Sequence, residues 1–227
     1  MDFSVVERWK EQAHAIAVSV TEVASVPDAL VCCLEICAAA PPHKNLMPEN
    51  SRDDQQKILA APGLPARQLE LLRRECARRG LRLVERDLRD HPGGMEVGVA
   101  WARAGLANTG TCIVQSTNED VRLATMLPET SIILLHSADI IPDLEDSAPL
   151  LRELFSGDPA YIAFISGPSR TADIERVLTL GVHGPLWMHV LLVNDHAPFE
   201  TPVTSPQKDR QSFRTRPNGE KNEGSVQ

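Results

Sequence analysis

The chain has no Cys-x-x-Cys pair, no basic excess and no apolar run of membrane-spanning length. Its five cysteines, Cys32, Cys33, Cys37, Cys76 and Cys112, are odd in number and spaced neither as a disulfide framework nor as a zinc or iron–sulfur site, so no metal site is expected. Leu30, Leu34 and Ile36 flank Cys33 and Cys37, which favours reduced thiols packed in a core. A formal net charge of -8 and a pI near 5.4 speak against nucleic acid or an anionic membrane as the main partner, because both demand a clustered basic surface. A bilayer-crossing helix needs about 18 or more apolar residues in succession, and none occur, so no integral membrane segment is expected. Met1 to Ser25 carries Glu7, Glu11 and Glu22 among its apolar residues, unlike a secretory leader, and a cytoplasmic location is the expectation. Also missing are an internal repeat, a Gly-Lys-Ser phosphate loop, a Gly-x-Gly-x-x-Gly turn, a Gly-x-Ser-x-Gly elbow and a His-Glu-x-x-His pair.

What is there is an ordinary globular composition: 227 residues, 42% hydrophobic and 24% charged, enough for one α/β domain with an appendage. Val6, Trp9, Ala13, Ile16 and Val20 recur at three- and four-residue intervals and predict a helix from Val5 to about Val23. A second helix is expected over Pro27 to Ala40, with Pro27 in its first turn. Residues 39–55 are rich in proline and polar residues and read as an exposed connection, so residues 1–60 form an N-terminal helical segment. A regular α/β domain is expected over 61–194. Ala66 to Arg79 is helical by period and capped by Gly80, and Leu81 to Glu85 follows as a short strand. Val97 to Leu106 is of uncertain type, and a turn at Asn108-Thr-Gly then leads into a strand over Thr111 to Gln115. Ser131–Leu135, Tyr161–Ile165 and His189–Val193 are continuous apolar runs, as suits strands covered on both faces, and a helix is expected over Asp143 to Phe155. Alternating strands and helices imply a mostly parallel sheet flanked by helices. Residues 195–227 carry Pro198, Pro202, Pro206 and Pro217 with almost no large apolar side chain, and read as a disordered polar tail.

The chemistry concentrates in Ile165-Ser-Gly-Pro-Ser-Arg-Thr-Ala-Asp-Ile-Glu, read as a strand end, a tight turn and one short helix closed by Gly181-Val-His-Gly-Pro. Gly167, Ser169, Arg170, Thr171 and Asp173 would then sit at a helix amino end, where unpaired N–H groups favour an anion. Gly184 lies in the closing turn. A helix end gives about 0.3 to 1 kcal/mol and each hydrogen bond to a charged group about 1.5 to 3, against the roughly 4 that a millimolar complex requires. The same residues also make ordinary caps: serine and threonine at the start, Asp173 and Glu175 against the dipole, Gly181 at the end. His183 caps the helix, fills its turn or supplies an acid or base near neutrality, three readings the sequence leaves open. Asn108, Thr109, Gly110 and Thr111 form a second constellation, able to present N–H and hydroxyl groups to a ligand or to make a plain turn.

Ala107-Asn-Thr-Gly-Thr, Leu127-Pro, the Gly-Pro-Ser-Arg-Thr-Ala-Asp-Ile-Glu segment and Gly181-Val-His-Gly-Pro, in this order, resemble the LUD domain of the lactate utilization protein C family. The likeness runs from about Gly80 to Val193 and is most specific from Gly167 to Glu175. It implies a fold of the sugar-phosphate isomerase and coenzyme A transferase (NagB/RpiA/CoA-transferase-like) kind, and a role in oxidising L-lactate to pyruvate with two other proteins. It also implies that iron–sulfur clusters reside in those partners and that this chain binds no cofactor of its own; with the anion-favouring helix end, the expected ligand is a small anionic metabolite such as lactate or pyruvate, or a cofactor phosphate. A homo-oligomer is compatible with all of this. Where the family typically has Glu-Thr-Gly-Thr, this chain has Asn108, and an amide cannot act as a carboxylate nucleophile or base. Two other functions stay open: a stand-alone transferase or isomerase acting through His183 on an acyl or phosphorylated molecule, and a non-catalytic assembly module.

Overall fold

A computed structural model describes residues 3–41, 56–91, 94–156, 160–172, 178–180 and 184–195. Most of the proline-rich connection, Asp173, Gly181, His183 and the tail beyond residue 195 lie outside the described residues. The first half of the chain gives α1 (Phe3–Ala15), β1 (Ser19–Val23), α2 (Val26–Ala39), β2 (Ile58–Ala60), α3 (Ala66–Arg79), β3 (Arg82–Val84), β4 (Val97–Trp101), β5 (Ala104–Leu106) and β6 (Thr111–Gln115). Then come α4 (Glu119–Met126), β7 (Thr130–His136), β8 (Ile140–Ile141), α5 (Ala148–Leu154), β9 (Ile162–Ile165), β10 (Arg170–Ala172), β11 (Leu178–Leu180) and β12 (Trp187–Val193).

The fold is α/β, with a six-stranded sheet flanked by helices. Its order is β1-β12-β7-β4-β2-β3 and every pairing in it is parallel. The central strands β4 and β7 are buried along their whole length, as their largely apolar sequences require. On one face Val97, Val99, Ile132, Leu134 and Leu191 pack against Ala29, Cys33 and Cys37 of α2 and Leu72 and Cys76 of α3. On the other, Ala100, Ile133, Leu135, Val190 and Leu192 meet Trp9 and Ala13 of α1 and Cys112 and Val114 of β6. The residues N-terminal to position 61 thus contribute two strands and the wall of a core. A second sheet, β8-β5-β6-β9, joins β5 to β6 and β6 to β9 antiparallel.

Local signals explain the helix ends. The Ser25 hydroxyl accepts the Asp28 N–H at the start of α2, and Pro27 stands in its first turn, where no N–H is needed. Gly80 closes α3 in the left-handed conformation at φ 67°, which a side chain would strain.

Four expectations are corrected. The helix over Val5 to Val23 stops at Ala15: Ala17 turns at φ 62°, and Val20, Thr21 and Val23, β-branched, continue as β1. The apolar recurrence through Val20 is coincidental, because one spacing serves both the helix and the buried side of the strand. The Tyr161–Ile165 run is not covered on both faces; β9 belongs to the second sheet and leaves Phe164 46% exposed. The Asp143–Phe155 helix is shorter, with a 3-10 turn over Glu145–Ser147 before α5, and Pro149 sits at the α5 start. Finally, the short helix beginning near Ser169 is absent among the described residues. Arg170–Ala172 instead pairs antiparallel with Leu178–Leu180 as β10 and β11, a geometry that the alternating Leu-Thr-Leu favours.

Candidate functional site

Antiparallel pairing of β6 with β9 brings the two sequence motifs together. Because Cys112 lies opposite Ile165, the turn before β6 meets the turn after β9. Thr111 Oγ1 lies 2.7 Å from Ser166 Oγ and Thr109 Oγ1 2.7 Å from Thr111 Oγ1, so three hydroxyls form one chain from the exposed Thr109 through the buried Thr111 to the exposed Ser166. Helix α1 holds both turns in place. Gly110 has φ 66° and a Cβ there would stand 2.4 Å from Ala13 N; Gly167 has φ 88° and a Cβ would stand 2.6 Å from Ile16 O. These glycines therefore permit close backbone approach to a helix end. The Gly110 N–H is donated to Leu106 O and the Asn108 N–H to Pro142 O, so the turn does not present them to a ligand.

Asn108 faces elsewhere. Its Nδ2 donates to the Asp143 carboxylate, while its Oδ1 is buried without a partner among the described residues. The Ser169 N–H donates to Pro185 O at 2.9 Å, and Gly184 passes so close that a Cβ would lie 3.1 Å from Ser169 Cβ. Ser169 and Gly184 thus adjoin, as do Thr111 and Ser166 with Gly167. Arg170 is exposed on the β10–β11 hairpin, and Thr171 pairs through its backbone with Thr179. Without a helix at this position the expected helix-end cradle is not formed by the described residues.

Beside the hydroxyl chain lies a cavity of about 380 Å³. Ser166, Gly167 and Ser169 line one side, Arg122 and Thr125 of α4 another, and Ser131 and Met188 the sheet side. Arg122 Nη1 donates to the carbonyls of Ser116 (2.7 Å) and Thr117 (2.9 Å), and its guanidinium lies 4.8 Å from the Tyr161 ring centroid. Ser131, 3% exposed, has a buried hydroxyl with no hydrogen-bond partner among the described residues.

None of the cysteines is disulfide-bonded, and all but Cys32 are buried. Burial pushes the thiols of Cys37 and Cys112 up to about 12 and that of Cys76 to about 11, so at neutral pH these remain protonated packing groups. Among the described residues no group of three or more histidine, cysteine, aspartate or glutamate side chains is placed to hold a metal, and no helix is long and apolar enough to cross a membrane.

Sequence reasoning missed Arg122, Thr125, Ser131 and Ser166. A signal existed for the first two, since Asn118 caps α4 by accepting the Asp120 N–H and precedes acidic Glu119 and Asp120, a helix-start signature. Ser131 interrupts the apolar run of β7 near its start, a single-residue signal that acquires meaning only beside the cavity.

A profile of the LUD domain matches residues 6–193 of the chain. The chain is 34% identical over 99 residues to lactate utilization protein C of Anoxybacillus flavithermus, covering 44% of each protein. It is 33% identical over 102 residues to the protein of the same name from Bacillus subtilis, covering 44% of this chain and 42% of that one. The chain therefore aligns with less than half the length of these relatives. A crystal structure of a duf162 family protein from Deinococcus radiodurans superposes with a TM-score of 0.52 at 16% identity, covering 84% of this chain and 97% of that one, a likeness of fold.

Proposed function

The chain belongs to the LUD-domain family, and from that premise we propose that it serves in lactate utilization as a subunit that binds a small anionic metabolite, lactate or pyruvate, and holds no iron–sulfur cluster. The observation that carries this reading is its similarity, at 33 to 34% identity, to relatives named lactate utilization protein C. Redox chemistry then falls to partner proteins carrying the clusters, and this chain contributes binding and assembly. At position 108 the family's usual glutamate is replaced by an asparagine that donates to Asp143, so the chain has a fixed amide where a carboxylate base would stand. Of the three residues whose hydroxyls meet at these turns, Ser166 lines the cavity, so an anion held there meets it.

The test is growth. Expressed in a Bacillus subtilis strain lacking its own lactate utilization protein C, the full chain restores growth on L-lactate as sole carbon source. Folded, expressed protein that gives no growth overturns the reading.

A further inference from the structure

We propose that the cavity between α4, β9 and the amino ends of β7 and β12 binds an organic anion with an apolar body, larger than lactate, with Arg122 holding its charged end and Ser131 meeting it at depth. The inference deepens the anion-binding reading above and rests on it only in placing an anion at this end of the molecule.

Three independent observations converge. First, Ser131 is a cavity-lining residue, 3% exposed, whose hydroxyl is buried without a partner among the described residues. A buried polar group left unpaired is costly, and a ligand oxygen in the cavity satisfies it. Second, Arg122 is fixed in advance. Its Nη1 is tied to the Ser116 and Thr117 carbonyls and its Cζ lies over the Tyr161 ring, while Nε and Nη2 donate no hydrogen bond to the described residues. A guanidinium held in this way loses little freedom when it grips a carboxylate or phosphate. Arg170, the arginine favoured by the sequence, is exposed on a separate hairpin.

The third observation is size. At about 30 Å³ per water-sized group, the six non-hydrogen atoms of lactate fill roughly half of the available space, which is about 380 Å³. The remaining wall is apolar and adaptable, formed by Met126, Ile165 and Met188. An anion whose body is a short hydrocarbon chain satisfies the arginine, the hydroxyl and this wall together, whereas a three-carbon acid leaves the methionines facing water.

Calorimetric titration of the full chain with L-lactate, hexanoate, hexyl phosphate and neutral hexanol tests the proposal, with hexanoate and hexyl phosphate deciding which anionic end is preferred. Hexanoate or hexyl phosphate binds at least about tenfold tighter than lactate, hexanol does not bind, and Arg122→Gln lowers affinity for the longer anion by about tenfold or more. Ser131→Ala weakens binding severalfold while leaving the melting temperature of the free protein unchanged or raised, since it removes an unpaired hydroxyl. Arg170→Ala has no effect on the longer anion. Should Arg122→Gln fail to fold, Arg122→Lys, which keeps the charge and loses the fork, carries the same comparison with Ser131→Ala. Absence of binding by both longer anions, or binding unchanged in both the Arg122 and Ser131 variants, overturns the proposal. Binding of lactate alone, lost in Arg170→Ala, also overturns it while leaving the lactate reading intact, and growth on L-lactate reads that function separately.

Discussion

The two ends of the parallel sheet differ in how they are finished. At the carboxyl end, Trp101 of β4 and His136 of β7 lie with ring centroids 5.1 Å apart at 49°, and His136 is only 4% exposed. Asp195, just past β12, brings Oδ1 to 3.4 Å from His136 Nδ1 and accepts the Val26 N–H on Oδ2. That end is filled by packed rings. At the amino end, Ser131 and Met188, each the second residue of its strand, open onto the cavity, because β9 of the second sheet and α4 form its other walls. In open parallel sheets ligands gather outside the carboxyl ends of strands. Here that rule locates the turn after β9 and misses the end of the main sheet that faces the cavity. Where a second sheet meets the first decides which end is open.

Each end of the sheet responds to its own substitutions. The largest effect belongs to the packed end: Trp101→Ala removes a ring that is 8% exposed and costs roughly 3 to 5 kcal/mol in urea unfolding, with anion affinity unchanged. A cost below about 1 kcal/mol shows that the carboxyl end is looser than its packing implies. Next is Gly110→Ala, which puts a Cβ 2.4 Å from Ala13 N at φ 66° and costs roughly 1 to 3 kcal/mol. Because α1 also braces Gly167, this variant weakens anion binding as well; undiminished affinity separates the turns from the site.

Asn108→Asp sharpens the contrast from a third position. It sets a carboxylate against Asp143 where an amide now donates, and costs about 1 to 2 kcal/mol at neutral pH. Like charge raises the carboxyl pKa in the fold, so the penalty is absent below the unfolded value of about 4 and grows as pH rises through the folded one. Unfolding free energy measured between pH 4 and 8 checks this, and a pH-independent difference refutes it. The smallest effect is at His189, between the two ends, where burial lowers the imidazole pKa. The fold prefers the neutral ring, so stability is full above the unfolded value of 6.5 and declines as pH falls below it. His189→Leu flattens that decline in thermal unfolding between pH 7 and 5; an unaltered slope assigns the acid sensitivity to other groups.

Much of the scaffold was legible. Pro27 and Gly80 marked helix ends because proline and glycine act through backbone geometry, which is local. The apolar runs of β7 and β12 announced buried parallel strands for a similar reason. What misled was periodicity near element boundaries: Val20 satisfied a helical spacing while lying in β1, and Ser169-Arg-Thr read as a helix start where β10 begins. β2 escaped notice because three residues, Ile58–Ala60, are too few to show a period, although both of its neighbours are strands of the main sheet. The candidate site was half legible, since its turns carry motifs and its cavity does not.

Local pattern carries the class of fold, the burial of most cysteines and the two turns on which hydroxyls concentrate, because each follows from composition, period or a residue's own backbone preference. Long-range packing is what makes Thr111 meet Ser166, which is 55 residues away, turns Asn108 toward Asp143, and brings Arg122 and Ser131 into one cavity with Ser169. Those relations depend on antiparallel pairing of β6 with β9 and on how the second sheet sits across the first. Register and layer packing are set by contacts between residues far apart in the chain, and local pattern carries no record of them.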